Sequence, residues 1–343
     1  MSDQPTALEP GGVNAIGRML GLLGDEWSLL ILQQSLTGAV RYRDFTARLP
    51  ISNSVLTSRL GTLTASGLLE RRPVDDTGRT EYLPTRRSRS LWPVLLCIWE
   101  WERTWVATHT GPLPAMRHHR CGEQFTPVLR CRDCRAEVGS GDVRIAVGPS
   151  GDWARSAPQV STRRRSDAHG SARQAGLFPE TMAVFGNRWA AALLVAAFLG
   201  ATRFTDFSTR LGIPPNLLTE RLQTFRSIGV LACSATEPAA SDQAGATRAA
   251  YRLTDKGRAL FGVLVCAQQW AHTWFHAPEG PALVLTHGAC GMPFTAELAC
   301  GSCGERLRGA LVDVIAGSEA NNAELGADTA RAGVSRRGAA GIP

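Results

Sequence analysis

The residues with the clearest chemical promise recur as a set: His118, Cys121, Cys131 and Cys134, then His287, Cys290, Cys300 and Cys303. Both sets read His-x2-Cys-x9-Cys-x2-Cys, with Phe125 and Phe294 in the same slot. Three thiolates and an imidazole are a common donor set for structural zinc. A Cys-x2-Cys pair makes a tight knuckle, and the nine-residue connection can bring a second pair opposite it. Each copy is therefore expected to close on its own zinc, giving two structural sites without an open position for a catalytic water. Tandem His118-His119 leaves the first histidine ambiguous, and alignment with His287 selects His118. Redox dithiols and unmetallated packing cysteines are the competing readings. Cys97 and Cys266 lie among apolar residues at helical spacing and read as packing. Oxidation of zinc thiolates would eject metal, which leaves a redox-responsive variant open.

The rest of the composition bounds the partners. The formal net charge is +7, nearly all from arginine, because Lys256 is the only lysine. Arginine suits phosphate binding, and 343 residues leave room for two compact domains. No apolar run reaches the roughly eighteen residues that span a bilayer, and Met1–Gly12 lacks the charged start and apolar middle of a signal peptide. A cytoplasmic protein with no membrane partner is expected, in which closely spaced thiols stay reduced and suit metal better than disulfides. The sequence has no Gly-rich phosphate loop, no nucleophile elbow and no paired carboxylates beside a histidine, so no enzyme is expected.

The cysteine sets belong to a longer repeat. Gly24-Asp25-Glu26-Trp27 aligns with Gly186-Asn187-Arg188-Trp189 at an offset of 162 residues, which carries Arg59-Leu60 onto Arg221-Leu222 and Gly67 onto Gly229. Past a seven-residue insertion the offset becomes 169, so that Tyr82, Trp101 and Trp105 meet Tyr251, Trp270 and Trp274. Six segments follow: residues 13–113 and 177–282 as the two main domains, 114–148 and 283–317 as small zinc-ribbon or knuckle-like modules, 149–176 as a flexible Ser/Arg/Gly/Ala linker, and 318–343 as a disordered tail.

Within one unit, Leu22, Leu23, Trp27, Leu30 and Ile31 predict a helix over Arg18–Leu36. Arg43–Leu49 is a short second helix, ended by Pro50. Ser52 caps a third that runs to about Ser66, with Leu56, Leu60 and Leu63 as its buried stripe. Leu69–Val74 and Arg79–Thr85 are strands joined by the turn Asp75-Asp76-Thr77-Gly78, and Leu91–Val106 is a last long helix. The fold class is mainly α with small β (α+β): two winged helix-turn-helix domains, each followed by its zinc module.

At these residues the chain resembles the HxlR-type transcriptional regulators. The resemblance rests on Gly24-Asp-Glu-Trp27, Arg41-Tyr-Arg-Asp-Phe45, Ile51-Ser52 through Arg59-Leu60, Gly67-Leu-Leu-Glu-Arg71 and Tyr82-x-x-Thr85. It implies a DNA-binding regulator that dimerises through its terminal helices and often answers to a small molecule or reactive species. The tandem duplication departs from the usual single-domain form.

For double-stranded DNA, the third helix offers Asn53, Ser54, Thr57, Ser58 and Arg59 away from its leucine stripe. Arg71, Arg72, Arg79, Arg86 and Arg87 surround the hairpin and suit phosphates. The second copy is poorer: Pro214, Pro215 and Glu220 stand where the first has Ser52, Asn53 and Ser58, the strand around Ala232-Cys233 has no counterpart of Arg71-Arg72, and the wing loop Thr236–Thr247 is Ala-rich. The first copy is thus the expected DNA reader, and the second a degenerate reader or pseudo-dimer partner. The Trp-bearing helices are expected to pack copy on copy, or chain on chain as a homodimer. A small-molecule effector would sit near Trp27 and Trp101, where plain core is the competing reading. A zinc-stabilised protein-interaction adapter with vestigial DNA binding is the alternative function, and a thiol oxidoreductase using the Cys-x2-Cys pairs the third.

Overall fold

The computed structural model describes residues 4–74, 79–109, 113–156, 178–186, 188–236 and 248–315. The first copy runs β1 (Thr6–Ala7), α1 (Ala15–Leu23), α2 (Glu26–Leu36), α3 (Tyr42–Arg48), α4 (Asn53–Ala65), β2 (Leu69–Pro73), β3 (Thr80–Pro84), α5 (Arg86–Arg89), α6 (Trp92–Trp105), β4 (Ala115–His118), β5 (Pro127–Cys131) and β6 (Val143–Val147). The second runs α7 (Pro179–Phe185), α8 (Arg188–Phe198), α9 (Phe204–Leu211), α10 (Pro215–Ser227), β7 (Leu231–Thr236), β8 (Arg248–Leu253), α11 (Asp255–Ala259), α12 (Phe261–Trp274), β9 (Phe275–His276), β10 (Leu283–His287), β11 (Ala296–Cys300) and β12 (Val312–Ile315). The molecule is mixed α and β and contains two winged helix-turn-helix units, as the pattern of elements predicts.

One expected helix is two. Arg18–Leu36 breaks at Gly24-Asp25, because Asp25 turns its carboxylate onto the Ser28 amide (2.9 Å) and caps α2. The cap satisfies a first-turn amide that α2 itself leaves without a partner. The helix-turn-helix follows the sequence closely. Ser52 accepts from the Val55 amide at the start of α4, and Leu56, Leu60, Leu63 and Phe45 are buried under it. Each such side chain contributes about 2 kcal/mol by leaving water. The β2–β3 ribbon pairs Arg71 with Tyr82 and Arg72 with Glu81. Its expected turn, Asp75–Gly78, lies outside the described residues, as do most of Thr236–Thr247 and the whole tail 318–343.

Part of the expected linker is built into the fold. Ser150 is fully buried, Asn14 Nδ2 donates to its carbonyl (2.8 Å), and the Arg155 guanidinium reaches Gly12 O (2.7 Å) and Glu279 (3.1 Å). Side-chain hydrogen bonds from Asn14 and Arg155 hold the segment, and Trp153 packs against the core, a lone aromatic that the Ser/Arg/Gly/Ala composition around it masks. Residues 157–176 of that segment lie outside the described residues.

The copies are joined about a pseudo-two-fold axis. Helices α6 and α12 cross with Cys97 Sγ 3.9 Å from Cys266 Sγ, two residues related by the repeat itself. Trp101 Nε1 donates to Lys256 O and Trp270 Nε1 to Arg87 O, both at 3.0 Å, a symmetric pair of inter-copy bonds. Helix α1 packs on α12, and α7 on α6. Six strands after α6 and α12 pair across the copies: β4 with β12, β5 with β11 and β6 with β10. Leu129 faces Leu298, its own repeat equivalent, so the axis passes through that pair. The Trp-bearing helices therefore cover each other within one chain. The two expected modules are consequently interleaved through three two-stranded ribbons, each with one strand from either copy. Among the described residues no single helix is long and apolar enough to cross a membrane.

Candidate functional site

On α4, Asn53, Ser54, Thr57 and Ser58 are exposed on the side opposite the buried leucines. Tyr42 on α3 ties into the same face: its hydroxyl donates to Asn53 O (2.9 Å) and lies 3.3 Å from Thr57 Oγ1. Asp44 fixes the start of α3. The Arg41 amide holds its carboxyl below the usual carboxylate range, against the opposing effect of burial. Tyr42 thus borders the α4 face, and the next residue, Arg43, is exposed on α3. Both stand in the word Arg41-Tyr-Arg-Asp, whose position on the helix preceding α4 was the available signal. Beside this face, Arg71, Arg72, Arg79 and Arg86 are exposed on the ribbon and the turn after it. Glu70 lies 3.8 Å from Arg72 across open solvent, a weak pairing.

Two expected DNA contacts are engaged elsewhere. Arg59 lies on the flank of α4, with Nη2 2.9 Å from Asp25 Oδ1 and Nε 2.8 Å from Oδ2, and both side chains about four-fifths covered. It ties α4 to the cap of α2. Arg87 donates to Ser66 O (3.0 Å) and Thr6 Oγ1 (2.9 Å), and its guanidinium lies over Trp274 and Phe275 of the other copy (5.2 and 5.3 Å). Burial lowers its pKa, with Arg18 adding to the effect. Its repeat equivalent Lys256 does the same in mirror, over Trp101 at 5.4 Å and paired with Glu180. Residues 87 and 256 are clasps between the copies, and spacing alone cannot tell a clasp from a phosphate contact.

The second head lacks most of these groups. Its α10 starts on Pro214-Pro215 without a side-chain cap, Glu220 engages neighbouring Arg221 (2.6 Å), and Phe204 replaces Tyr42. The β7–β8 register sets Cys233 opposite Tyr251, so Cys233 and Ser234 occupy the places of Arg71 and Arg72.

All eight expected metal ligands come together, but in crossed groups. One group is His118, Cys121, Cys300 and Cys303; the other is Cys131, Cys134, His287 and Cys290. The expectation of one closed set per copy is corrected by the strand pairing. Because β5 pairs with β11, each C-terminal knuckle is delivered to the other copy's His-x2-Cys turn, held by Gly301 N to Thr126 O and Arg132 N to Thr295 O, both 3.0 Å. Identical repeats carry identical local patterns, so the sequence cannot distinguish crossed from uncrossed closure.

The donors suit a small tetrahedral ion. In the first group, Nδ1 of His118 is 3.6 Å from Cys121 Sγ and 3.4 Å from Cys303 Sγ, and Cys121 and Cys300 Sγ are 4.0 Å apart. In the second, His287 Nδ1 is 3.3 Å from Cys134 and 3.2 Å from Cys290, with Cys131 and Cys290 Sγ 4.0 Å apart. Zinc bonds of about 2.0–2.3 Å imply tetrahedron edges of about 3.5–3.8 Å, compatible with both sets. His118, the ring that the alignment selects, is fully buried with Nδ1 facing the thiols, whereas His119 is exposed. Burial raises the Cys131 thiol, yet the amides of Cys134 and Asp133 outweigh it and hold the thiol below its ordinary value; Cys300 repeats this with Cys303 and Ser302. Knuckle amides aimed at sulfur are what a metal thiolate needs. Cys97 differs: the Cys266 thiol and burial push it well above the usual range, which leaves it a packing group.

The fold and its exposed α4 face define a winged helix-turn-helix DNA-binding protein of the transcription-regulator class. Residues 22–110 and 184–279 each match the HxlR-like helix-turn-helix family, and the chain belongs to that family. It is similar to uncharacterized HTH-type transcriptional regulators of Mycobacterium bovis and Mycobacterium tuberculosis, each 35% identical over 136 residues, covering 39% of this chain and 86% of the relative. It is also similar to the uncharacterized HTH-type transcriptional regulator YvaP of Bacillus subtilis, 33% identical over 91 residues, which covers 26% of this chain and 84% of that one.

Proposed function

We propose that the chain is a sequence-specific transcriptional regulator in which one polypeptide serves as an asymmetric dimer. The first copy reads bases through Asn53, Ser54, Thr57 and Ser58, and holds flanking phosphates through Arg71, Arg72, Arg79 and Arg86. Tyr42 and Arg43 join this surface. The second copy is a pseudo-dimer partner and weak reader that fixes the height and tilt of the first. Two zinc ions, each held by ligands from both copies, act as structural staples. The observation that carries this reading is the exposed polar face of α4 beside a cluster of exposed arginines, in a family of helix-turn-helix regulators. The adapter reading needs the Trp-bearing helices free for partners, yet Trp99, Trp101, Trp270 and Trp274 are buried.

The test is retention of sheared genomic DNA by the metal-replete protein at near-physiological salt, followed by sequencing. A few sharp peaks sharing one strong half-site, with a weak or absent second half, are expected. Smooth, salt-sensitive retention without peaks would leave backbone affinity alone and remove the base-reading assignment.

A further inference from the structure

The copies differ most sharply at a place unrelated to DNA. An apolar cavity of about 490 Å³ lies between α8 and α12 of the second copy, α1 and β6 of the first, and the docked segment that follows β6. Five aromatic side chains line it: Trp153, Phe185, Trp189, Phe198 and Phe261. Among the described residues the charged ones on its wall are Asp152 and Arg210, both exposed and so at the mouth. Gln268 supplies a polar group inside, its amide 2.8 Å from His272 Nδ1 and 3.4 Å from Leu283 O.

The repeat explains why the space exists. At the equivalent places the first copy carries Leu29, Leu30 and Trp99, all buried, where the second has Ala191, Ala192 and Gln268. Trp99 Nε1 donates to Pro114 O at 2.7 Å, and Gln268 reaches the equivalent carbonyl of Leu283 with a much smaller side chain. The hydrogen bond persists in weaker form while the bulk of an indole and two isobutyl groups is gone. Trp153, from the segment after β6, closes one side of this cavity. The space is thus made by substitution, not by loose packing. Its volume and apolar wall with few polar groups fit a small-molecule site.

We infer that this cavity binds an uncharged aromatic small molecule, stacked among Trp153, Trp189 and the phenylalanines and oriented by one hydrogen bond to Gln268. Arg210, Leu211 and Gly212, which lead into α10, form part of the wall, so occupancy would bear on the second head. That extension alone rests on the DNA-binding reading.

The experiment titrates the full, metal-replete chain with Nile red, an uncharged aromatic dye, in the absence of DNA. It is repeated on Ala192→Leu and Gln268→Trp, which restore first-copy side chains. The expected result is saturable, blue-shifted binding of one dye per chain, weakened at least tenfold in both variants, with their metal content and circular dichroism unchanged. Absence of saturable binding, or equal binding by correctly folded refilled variants, would overturn the proposal. Because no DNA is present, failure of the DNA-reading assignment would leave this outcome unaffected.

Discussion

In the first copy α4 begins on a capping serine and shows Asn53, Ser54, Thr57 and Ser58 to solvent; in the second α10 begins on two prolines and shows a glutamate in the place of Ser58. Their interiors diverge in the opposite sense. Leu29, Leu30 and Trp99 fill the first copy, and Ala191, Ala192 and Gln268 open a cavity in the second. One half of the scaffold presents an exposed polar helix face, and the other holds an internal space. The α6–α12 crossing and the crossed β ribbons are nearly symmetric, yet the cavity opens beside them, between α8 and α12 of the second copy and α1 and β6 of the first.

The largest effect that sharpens this contrast concerns phosphate binding. Replacing Arg71 and Arg72 together by alanine should lower the slope of log affinity against log salt by about two, roughly 16-fold in affinity between 50 and 200 mM salt. The same change at Cys233 and Ser234 should leave the slope within error. Equal losses from both pairs, measured by fluorescence anisotropy, would break the assignment of unequal heads.

A second difference titrates. His272 stands where the first copy has the solvent-facing Arg103, and burial first, with His276 second, lowers its pKa to about 4. The folded protein prefers the neutral ring, so the stabilisation is complete above about pH 6.5. It is lost as pH falls toward 4, by at most about 3 kcal/mol, because the unfolded chain takes up the proton first. Denaturant melts of wild type and His272→Gln across this range should converge toward low pH. The metal ligands titrate in both proteins alike, so parallel curves would count against a buried neutral histidine.

Smaller effects test the two tethers. Arg59→Ala should cost about 1–2 kcal/mol, since it leaves the mostly covered Asp25 without its cation, whereas Arg221→Ala, paired only with its exposed neighbour, should cost under about 0.5 kcal/mol. If Arg59→Ala instead kept full stability and lost only base discrimination, Arg59 would return to the reading face. Last, Arg135 sits in the left-handed region at φ 63° where the second knuckle has Gly304 at φ 74°. Arg135→Gly should gain about 1 kcal/mol in thermal melts, relieving a penalty the second copy does not carry.

Much of this was legible in the residues, and the remainder failed for definable reasons. Ser52, the leucine stripe and Gly67 specify α4 locally, so the helix-turn-helix and its solvent face follow from periodicity and caps. The break at Asp25 was missed because Leu23, Trp27 and Leu30 keep helical phase across it. Spacing sets Arg59 and Arg87 among the DNA contacts because their partners, Asp25 and the Trp274–Phe275 pair, are remote in sequence. The eight donors stand out by type and spacing, but which four gather into one group depends on β5 meeting β11, a non-local fact that two identical patterns conceal. The cavity is visible only once Ala191, Ala192 and Gln268 are known to face one space.

The crossed ligation is the central claim, since it makes one chain an obligate pair of unlike halves, and metal stoichiometry in double variants tests it most directly. His118→Ala combined with Cys300→Ser removes two ligands from one group, so the purified protein should retain one zinc per chain. His118→Ala combined with Cys131→Ser disables both groups, and should retain none. The reverse pattern, with none retained in the first variant and one in the second, would mean that each copy closes on its own metal and would contradict the account.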